Sequence, residues 1–182
     1  MADWLDALAA RLTPAPVPPE GEGARQAAVA VVVHAERVLL MKRVERAGDP
    51  WSGHISLPGG RYQAEDGDLR VTAIRETHEE LGVELVGARV LGHLPPLHPR
   101  SSGPAGIAVT AFVFVADAAP ATVCGPEALA AFWLPMPLAA SGAIDSVYRH
   151  PGAGVDFPAW TYDGHVIWGL TRRILDLVLA PE

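Results

Sequence analysis

The chain has 182 residues, which is enough for one globular domain with a substantial core and short for two. Hydrophobic residues make up 49% of it, so disorder over most of the length is excluded. Its net charge of −7 argues against nucleic-acid or anionic-membrane partners, which need clustered lysine and arginine. A small phosphorylated substrate is still compatible with this charge, because a bound divalent cation would reverse it locally.

The cysteine content and the N-terminal sequence predict a cytoplasmic protein. Cys124 is the single cysteine and cannot form an internal disulfide, which suits a reducing compartment. The first 12 residues lack the basic start and the long apolar segment of a signal peptide. No run reaches the roughly 20 apolar residues that a membrane-spanning helix requires.

The N-terminal region reads as an extension of the main domain. Residues 2–12 predict a short amphipathic helix whose apolar side chains follow one stripe. Prolines and glycines within 13–24 predict a linker. We therefore divide the chain into an extension over 1–24 and one domain over 25–182. The helix is expected to pack on that domain or on a second copy, so a homodimer is compatible with the sequence.

The domain begins with a predicted hairpin. Two apolar runs, 27–34 and 37–42, flank a turn at Ala35 and Glu36. After the hairpin, we expect an extended segment over 52–57, an irregular turn over 58–60 and a helix over 68–81.

The second half of the chain predicts further strands and a terminal helix. Strand-like segments are expected over 84–94 and 106–115, with a proline-rich loop between them. A short helix is expected over 126–131, followed by a strand over 132–134 and an irregular segment over 141–154. One or two short strands are expected over 157–166, and an amphipathic helix over 167–179. Strands on both sides of one central helix, followed by a terminal helix, predict an α+β domain.

The helix over 68–81 carries three glutamates on one side, and Asp66 and Asp68 are its N-cap candidates. Glu76, Glu79 and Glu80 are spaced i, i+3 and i+4, so like charges are neighbours at a cost of roughly 0.2–0.5 kcal/mol per pair. Grouped carboxylate oxygens suit Mg²⁺ or Mn²⁺, and Mg²⁺ usually shares its coordination with water and substrate phosphates. The pattern therefore predicts a cation-binding helix.

Residues around this helix are suited to support such a site. Arg75 precedes Glu79 by four residues and can hold its carboxylate in place. Gly59 and Gly60 carry no side chain, so the backbone can approach a metal ion or a phosphate, and the Gly60 carbonyl is a further candidate ligand. A solvated charged helix after a glycine turn is the alternative interpretation, and the joint pattern disfavours it.

The sequence RETHEELGV over 75–83, with Gly60 upstream, resembles the signature of the Nudix hydrolase family. That signature is a glycine, five residues, a glutamate, seven residues and then R-E-U-x-E-E-x-G-U, where U is apolar. The resemblance implies an α/β/α sandwich with a mixed central sheet. It also implies hydrolysis of a nucleoside diphosphate linked to another group.

The resemblance further implies a role for each motif residue. Mg²⁺ or Mn²⁺ is expected on the side of the helix that carries Glu76 and Glu80, with Glu79 as a further ligand or carboxylate partner and Gly60 beside them. Arg75, Glu79 and Glu80 are the candidate catalytic residues.

The signature is modified here in a way that resembles the coenzyme A pyrophosphatase branch of the family. Fourteen residues separate Gly60 from Arg75, one more than the standard thirteen, and Asp66 matches the early glutamate best. The sequence GHISLPGG over 53–60 is close to that branch's glycine, three residues and F-P-G-G. HVIWGLT over 165–171 resembles the end of the same branch.

Four positions depart from these patterns. Thr77 replaces an apolar residue of the signature, and Met41 and Val44 stand where threonine and a small residue are usual. Asp49 stands where an arginine is expected against the phosphates of coenzyme A. The bond to be cleaved is thus better specified than the molecule that carries it.

The candidate substrate-binding residues are the cationic side chains and glycines near this motif: Arg43, Gly59, Gly60, Arg61 and Arg100. The general base is expected to be Glu79 or Glu80, with Glu127 as the alternative from a later segment. Substrates other than coenzyme A stay open, namely ADP-ribose, a dinucleotide or an oxidised nucleotide. A non-catalytic nucleotide-binding module is a further alternative, which the presence of all three motif glutamates disfavours.

Aromatic and histidine residues give weaker signals. Trp133 and Trp168 lie in apolar contexts and are expected in the core. Trp51, beside the glycine turn, is as compatible with stacking on a base as with packing. His54 shares no metal-ligand spacing with the other histidines and is expected in a loop.

Overall fold

A computed structural model describes residues 2–14, 17–19, 25–48, 51–99, 106–150 and 154–180. Within these ranges there are four α-helices, at Ala2–Arg11 (α1), Leu69–Leu81 (α2), Met136–Ala140 (α3) and Gly169–Leu179 (α4). The ten strands of the same ranges are Gln26–His34 (β1), Arg37–Arg43 (β2), Ile55–Ser56 (β3), Gly59–Arg61 (β4), Arg89–His93 (β5), Ala108–Val115 (β6), Ala128–Pro135 (β7), Asp145–Arg149 (β8), Asp156–Tyr162 (β9) and His165–Trp168 (β10).

Strand β1 organises the larger of two sheets. It runs parallel to β6 and antiparallel to β2 and β4. Strands β3 and β7 pair with β2, and β5 pairs with β6, so the sheet has seven strands in mixed directions. Strands β8, β9 and β10 form a separate antiparallel sheet.

Alternate side chains of β1 enter two different hydrophobic clusters. Ala28, Ala30 and Val32 pack with residues of α2, whereas Val31 and Val33 pack with residues of α1 and α4. Because successive side chains of a strand point to opposite faces, helices cover both faces of the mixed sheet. This arrangement confirms the expected α+β class and the α/β/α sandwich.

The N-terminal helix packs on the domain through its apolar side. Leu8 is fully buried and Leu12 is 8% exposed, both in the cluster that contains α4. The guanidinium group of Arg11 donates hydrogen bonds of 3.0 and 3.1 Å to the carbonyl oxygens of Leu177 and Val178, which are free near the end of α4. Docking against the domain is therefore observed, and the division of the chain at residue 24 stays a prediction.

The hairpin and the central helix are confirmed close to their predicted ends. Ala35 and Glu36 both have positive φ, which is the conformation that a two-residue hairpin turn requires. Helix α2 begins after Asp68, whose carboxylate accepts a 2.6 Å hydrogen bond from the Arg70 amide, and it ends at Gly82 in the left-handed conformation. Asp68 is thus the N-cap.

Three expectations about local structure were wrong, because pairing with distant strands overrode local sequence signals. The alanine-rich segment 126–131 is not helical; from Ala128 it belongs to β7 and pairs with β2. Residues 58–60 do not form an irregular turn, since Gly59 and Gly60 begin β4 and pair with β1. The segment 141–154, expected to be irregular, contains β8, which pairs with β9.

Smaller differences concern the ends of elements. The terminal helix α4 begins at Gly169 rather than 167, because Ile167 and Trp168 complete β10. The segment 84–94 is a strand only from Arg89 to His93. None of the helices in the described ranges has the length and apolar character needed to cross a membrane.

Leu8→Ala tests whether α1 is an integral part of the core. We expect the free energy of unfolding to fall by about 2–4 kcal/mol, because the substitution leaves a cavity beneath the helix. Urea denaturation measures this change, and Asp6→Ala, an exposed position of the same helix, serves as the matched control. A loss below about 1 kcal/mol for Leu8→Ala would show that the packing of α1 contributes little.

Candidate active site

The edge of strand β4 is joined directly to helix α2. The amide of Gly59 donates a 2.8 Å hydrogen bond to Oε2 of Glu80, and the carbonyl oxygen of Arg61 accepts a 3.2 Å hydrogen bond from Nη2 of Arg75. Within the described ranges β4 pairs only with β1, so its other edge is open to these side chains. The motif glutamates therefore lie beside exposed backbone rather than on a solvated helix face.

The two glycines of β4 are required by close contacts on opposite sides. A Cβ atom built on Gly60 would lie 2.5 and 2.6 Å from the two carboxylate oxygens of Glu76. Gly59 has a φ of +152°, and a Cβ atom there would meet Val29 Cα at 2.6 Å. Any larger residue at either position would displace the carboxylate or the neighbouring strand.

Glu80 is a buried carboxylate at this edge. Its residue is 4% exposed, and burial raises the pKa of its carboxyl to about 7, although the Gly59 amide favours the charged form. The nearby Glu76 carboxylate raises the pKa of Glu80 further. Burial also raises the pKa of Glu76, against the opposing effect of Arg75. Both carboxylates are therefore held where a positive charge would stabilise their ionised forms.

Glu79 has a different environment from the other two glutamates. Its side chain is 56% exposed, and its carboxylate lies 3.3 Å from Nη1 of Arg75. The same guanidinium nitrogen lies 2.9 Å from Oε1 of Glu76. The brace expected between Arg75 and Glu79 is therefore present in the structure, and it extends to Glu76.

Asp66 holds Arg75 from the opposite side. Its two carboxylate oxygens accept hydrogen bonds of 2.8 and 3.0 Å from Arg75, and Thr72 donates a third of 2.7 Å. The hydrogen bond from Arg75 is the largest cause of a lowered pKa of Asp66, to about 2. Asp66 is thus a buried partner of Arg75 and does not cap α2, which corrects its assignment as a cap candidate.

A cavity of about 1530 Å³ lies over these residues. It brings together the three motif glutamates with four of the five predicted substrate-binding residues, Arg43, Gly59, Gly60 and Arg61. The fifth, Arg100, lies outside the described residues, as does Asp49.

The cavity also contains residues that sequence reasoning did not select: Arg25, Gln63, His150, Phe157 and Arg173. The alternation of β1 could have indicated Arg25, because it shares a face with Ala27 and Val29. The others come from segments whose structure depends on distant pairing.

An aromatic wall consists of His54, Tyr148, Phe157 and Trp168, of which all but Tyr148 line the cavity. Trp168 stacks on Tyr148 with ring centroids 4.2 Å apart and lies 5.1 Å from His54 and 5.4 Å from Phe157. Trp168 is partly buried and lines the cavity, so its expected place in the core was wrong. The aromatic wall therefore offers ring surfaces on which a planar or apolar group of a ligand can pack.

Two further sequence candidates occupy the cavity. Trp51 lines it and is 42% exposed. Glu127 also lines it, pairs with Arg46 at 3.3 Å, and is close enough to raise the pKa values of Glu76 and Glu80. The later-segment carboxylate is thus at the same cavity as the motif glutamates.

The donor chemistry fits a hard divalent cation. In the described ranges, no three histidine, cysteine or acidic side chains are already grouped in a metal-holding arrangement. However, Glu76 and Glu80 are oxygen donors that are partly or fully removed from water, and the charge of Glu76 raises the pKa of Glu80. A cation between such groups would offset this repulsion, and side-chain rotation of Glu76 or Glu79 would complete its ligand set.

Comparison with known proteins identifies the family. The model of the NUDIX domain matches residues 24–150, which is more than half of the chain. The chain belongs to the Nudix family. It is a pyrophosphohydrolase of that family near the coenzyme A pyrophosphatase branch, as the signature indicated. Nudix hydrolases generally use divalent metal ions and act on small nucleotide-derived substrates.

Individual relatives agree with this placement of the Nudix chain. It is 32% identical to a protein described as the uncharacterized Nudix hydrolase NudL of Yersinia enterocolitica, over 81% of this chain and 75% of that one. It is 30% identical to mitochondrial coenzyme A diphosphatase NUDT8 of Mus musculus, over 85% and 78% of the two chains. Among solved structures, a MutT/nudix family protein from Enterococcus faecalis shares the fold, with a TM-score of 0.57 and 17% identity over 98% of this chain and 67% of that one.

Gly60→Ala tests the contact between β4 and Glu76. We expect a folded protein whose hydrolase activity is lower by at least about a hundredfold, because the added Cβ atom moves the Glu76 carboxylate. Steady-state kinetics and a thermal melt measure the two effects. Nearly unchanged kcat would mean that the position of Glu76 is not critical.

The pH dependence of stability tests the burial of Glu80. Its pKa of about 7 lies above the ordinary value of 4.5, so the folded protein binds more protons than the unfolded chain between these values. In metal-free buffer, the contribution of Glu80 to the free energy of unfolding should be fully present at pH 4.5 and be lost as the pH rises through 7, so the free energy should fall over this interval. Glu80→Gln should remove most of this fall, whereas Glu84→Gln, at an exposed position, should retain it.

Denaturation at a series of pH values, with a chelator present, measures these curves. A wild-type curve that stays flat or rises across this range would contradict the assigned environment of Glu80.

Proposed function

We propose that this Nudix protein hydrolyses the diphosphate linkage of coenzyme A or one of its derivatives. The observation that carries the proposal is the meeting of motif glutamates, arginines and an aromatic wall in a single large cavity. A substrate made of a nucleotide, a diphosphate and a long acyl-carrying arm needs both charged and apolar surface. The named activity of the mouse relative, a coenzyme A diphosphatase, supports this choice of substrate.

We propose that Mg²⁺ or Mn²⁺ is bound by Glu76 and Glu80, with Glu79 and the Gly60 carbonyl as further ligands. When bound, such a cation would neutralise diphosphate charge and lower the pKa of a coordinated water. Burial of Glu80 and its hydrogen bond from the Gly59 amide support its choice as a ligand. Its ionised form is required for binding, so cation binding and loss of its proton are coupled.

The remaining residues of the site orient the substrate and move the proton. We propose that Arg43, which lines the cavity and whose charge lowers the pKa of Glu80, binds a diphosphate oxygen. Glu79 or Glu80 accepts the proton of the attacking water, with Glu127 as the alternative base in the same cavity. Arg75 takes no proton, and it holds Glu76 and Glu79 in position while Asp66 fixes its own guanidinium group.

Location and partners are also part of this proposal. A single, exposed cysteine suits the cytoplasm, where thiols stay reduced. The net charge of −7 disfavours nucleic acid as a partner. A homodimer stays a prediction from the N-terminal helix.

A substrate panel tests the proposed activity. With Mg²⁺, we expect the full chain to release a phosphopantetheine product from coenzyme A faster than it hydrolyses ADP-ribose, dinucleotides or oxidised nucleotides. Glu80→Gln should lower turnover by about 10²–10⁴-fold, because it removes a charged ligand and a candidate base. The matched control is Glu84→Gln, which removes a carboxylate from an exposed position outside the cavity.

Preference for another compound of the panel would overturn the coenzyme A assignment. Undiminished Mg²⁺-dependent turnover by Glu80→Gln would overturn the site assignment instead.

A further inference from the structure

One face of the β1/β4 pair forms the floor of the cavity. Residues on both sides of this pair line the cavity. On the β1 side they are Arg25, just before the strand, and Ala27 and Val29 within it, and on β4 they include Gly59 and Arg61. The intervening residues of β1 point to the other face, where Ala28 packs against α2. The floor is therefore apolar or bare at its centre and cationic at one end.

The two arginines of this floor are diagonal neighbours. Ala27 is the direct partner of Arg61, and Arg25 lies two residues before Ala27 on the same face. Diagonal neighbours of an antiparallel pair lie about 7–8 Å apart, within joint reach of two arginine side chains. A single anion can therefore contact both guanidinium groups.

Neither guanidinium group has a structural partner in the part of the chain that the structure describes. Among the described residues, neither Arg25 nor Arg61 forms a side-chain hydrogen bond or an ion pair, and both are exposed to the cavity. By contrast, Arg46, which lines the same cavity, and Arg75, which lies beside the motif glutamates, are paired with carboxylates. Two unpaired like charges on one face repel each other, and a bound anion would offset that repulsion.

The position of this pair separates it from the candidate cation site. Gly59 and Gly60 contact Glu80 and Glu76, and β4 then continues to Arg61. Trp168 of the aromatic wall lies just before α4, and Thr171 of α4 donates a hydrogen bond to the carbonyl oxygen of Ile55 in β3. The carboxylates thus contact the glycine end of β4, and the cationic end of the floor begins at the next residue, Arg61.

We propose that Arg25 and Arg61 form a second anion site, which binds a phosphoryl group of the substrate other than its diphosphate. The chemical class is a nucleoside with a phosphate on its ribose ring in addition to the 5′-diphosphate. Guanidinium groups suit such a terminal phosphate because they donate paired hydrogen bonds and stay charged. This inference rests on the proposed function, since it names the feature by which the same site selects its substrate.

Binding of product-like nucleotides tests the second anion site without turnover. Calorimetry should show that adenosine 3′,5′-bisphosphate binds the full chain at least about tenfold more tightly than adenosine 5′-monophosphate. Arg25→Gln and Arg61→Gln should each move this ratio toward one. Arg89→Gln, which removes an exposed arginine outside the cavity, should keep the wild-type ratio.

Equal affinity of the two nucleotides for the wild type, or no binding of either, would overturn the inference. It would also be overturned if the variants weakened both nucleotides by the same factor, because the arginines would then contact the 5′-phosphate. Thermal melts of each variant confirm that the fold is retained.

Turnover distinguishes this inference from the proposed function. The ratio of kcat/KM for coenzyme A to that for dephospho-coenzyme A should fall at least about tenfold in Arg25→Gln. If the wild type hydrolyses neither compound yet prefers the bisphosphate in calorimetry, the proposed function fails and the anion site stands. If it hydrolyses both with equal kcat/KM, the function stands and the anion site fails.

Discussion

The contact between the Gly59 amide and the Glu80 carboxylate is the constraint on which the site depends. It places a carboxylate that is 4% exposed at the open edge of a strand, where burial opposes its ionisation. At this edge Gly60 leaves room for the Glu76 carboxylate and Gly59 leaves room for the backbone of β1, which explains two consecutive glycines beside α2. The same geometry that makes Glu80 unfavourable as a lone charge makes it a well-positioned ligand for a cation.

The second constraint is the fixed orientation of Arg75. Asp66 holds its guanidinium group with two hydrogen bonds, so the remaining nitrogen is directed at Glu76 and Glu79. Asp66 sits in a single 3-10 turn, Ala64–Asp66, between β4 and α2. Arg75 therefore joins this turn to two of the motif glutamates.

The sequence was most informative where the structure is local. The helix carrying the motif, its N-cap Asp68 and its terminal Gly82 follow from short-range spacing, and they lie where they were predicted. Hydrophobic periodicity alone predicted only the α+β class. The α/β/α sandwich was predicted from the family resemblance. Helical spacing could not predict that the three glutamates differ in burial, because that difference arises from their contacts with β4.

Elements formed by distant pairing were not predictable in the same way. The first half of β7 is alanine-rich with no clear strand signal, unlike 132–134, and its ladder with β2 makes it extended. Tyr148 of the aromatic wall belongs to β8, whose sequence is typical of a loop. This segment is a strand because it pairs with β9. Arg25 was missed because its importance comes from the strand beside it rather than from its neighbours in the chain.

The central claim is that the carboxylates at the β4 edge hold the divalent cation. The most direct test is a crystal of the full chain grown with Mn²⁺ and measured on both sides of the manganese absorption edge. We expect an anomalous peak bounded by Glu76 and Glu80 and adjacent to Gly60. A strong peak elsewhere in the cavity, with these two carboxylates uncoordinated, would contradict it.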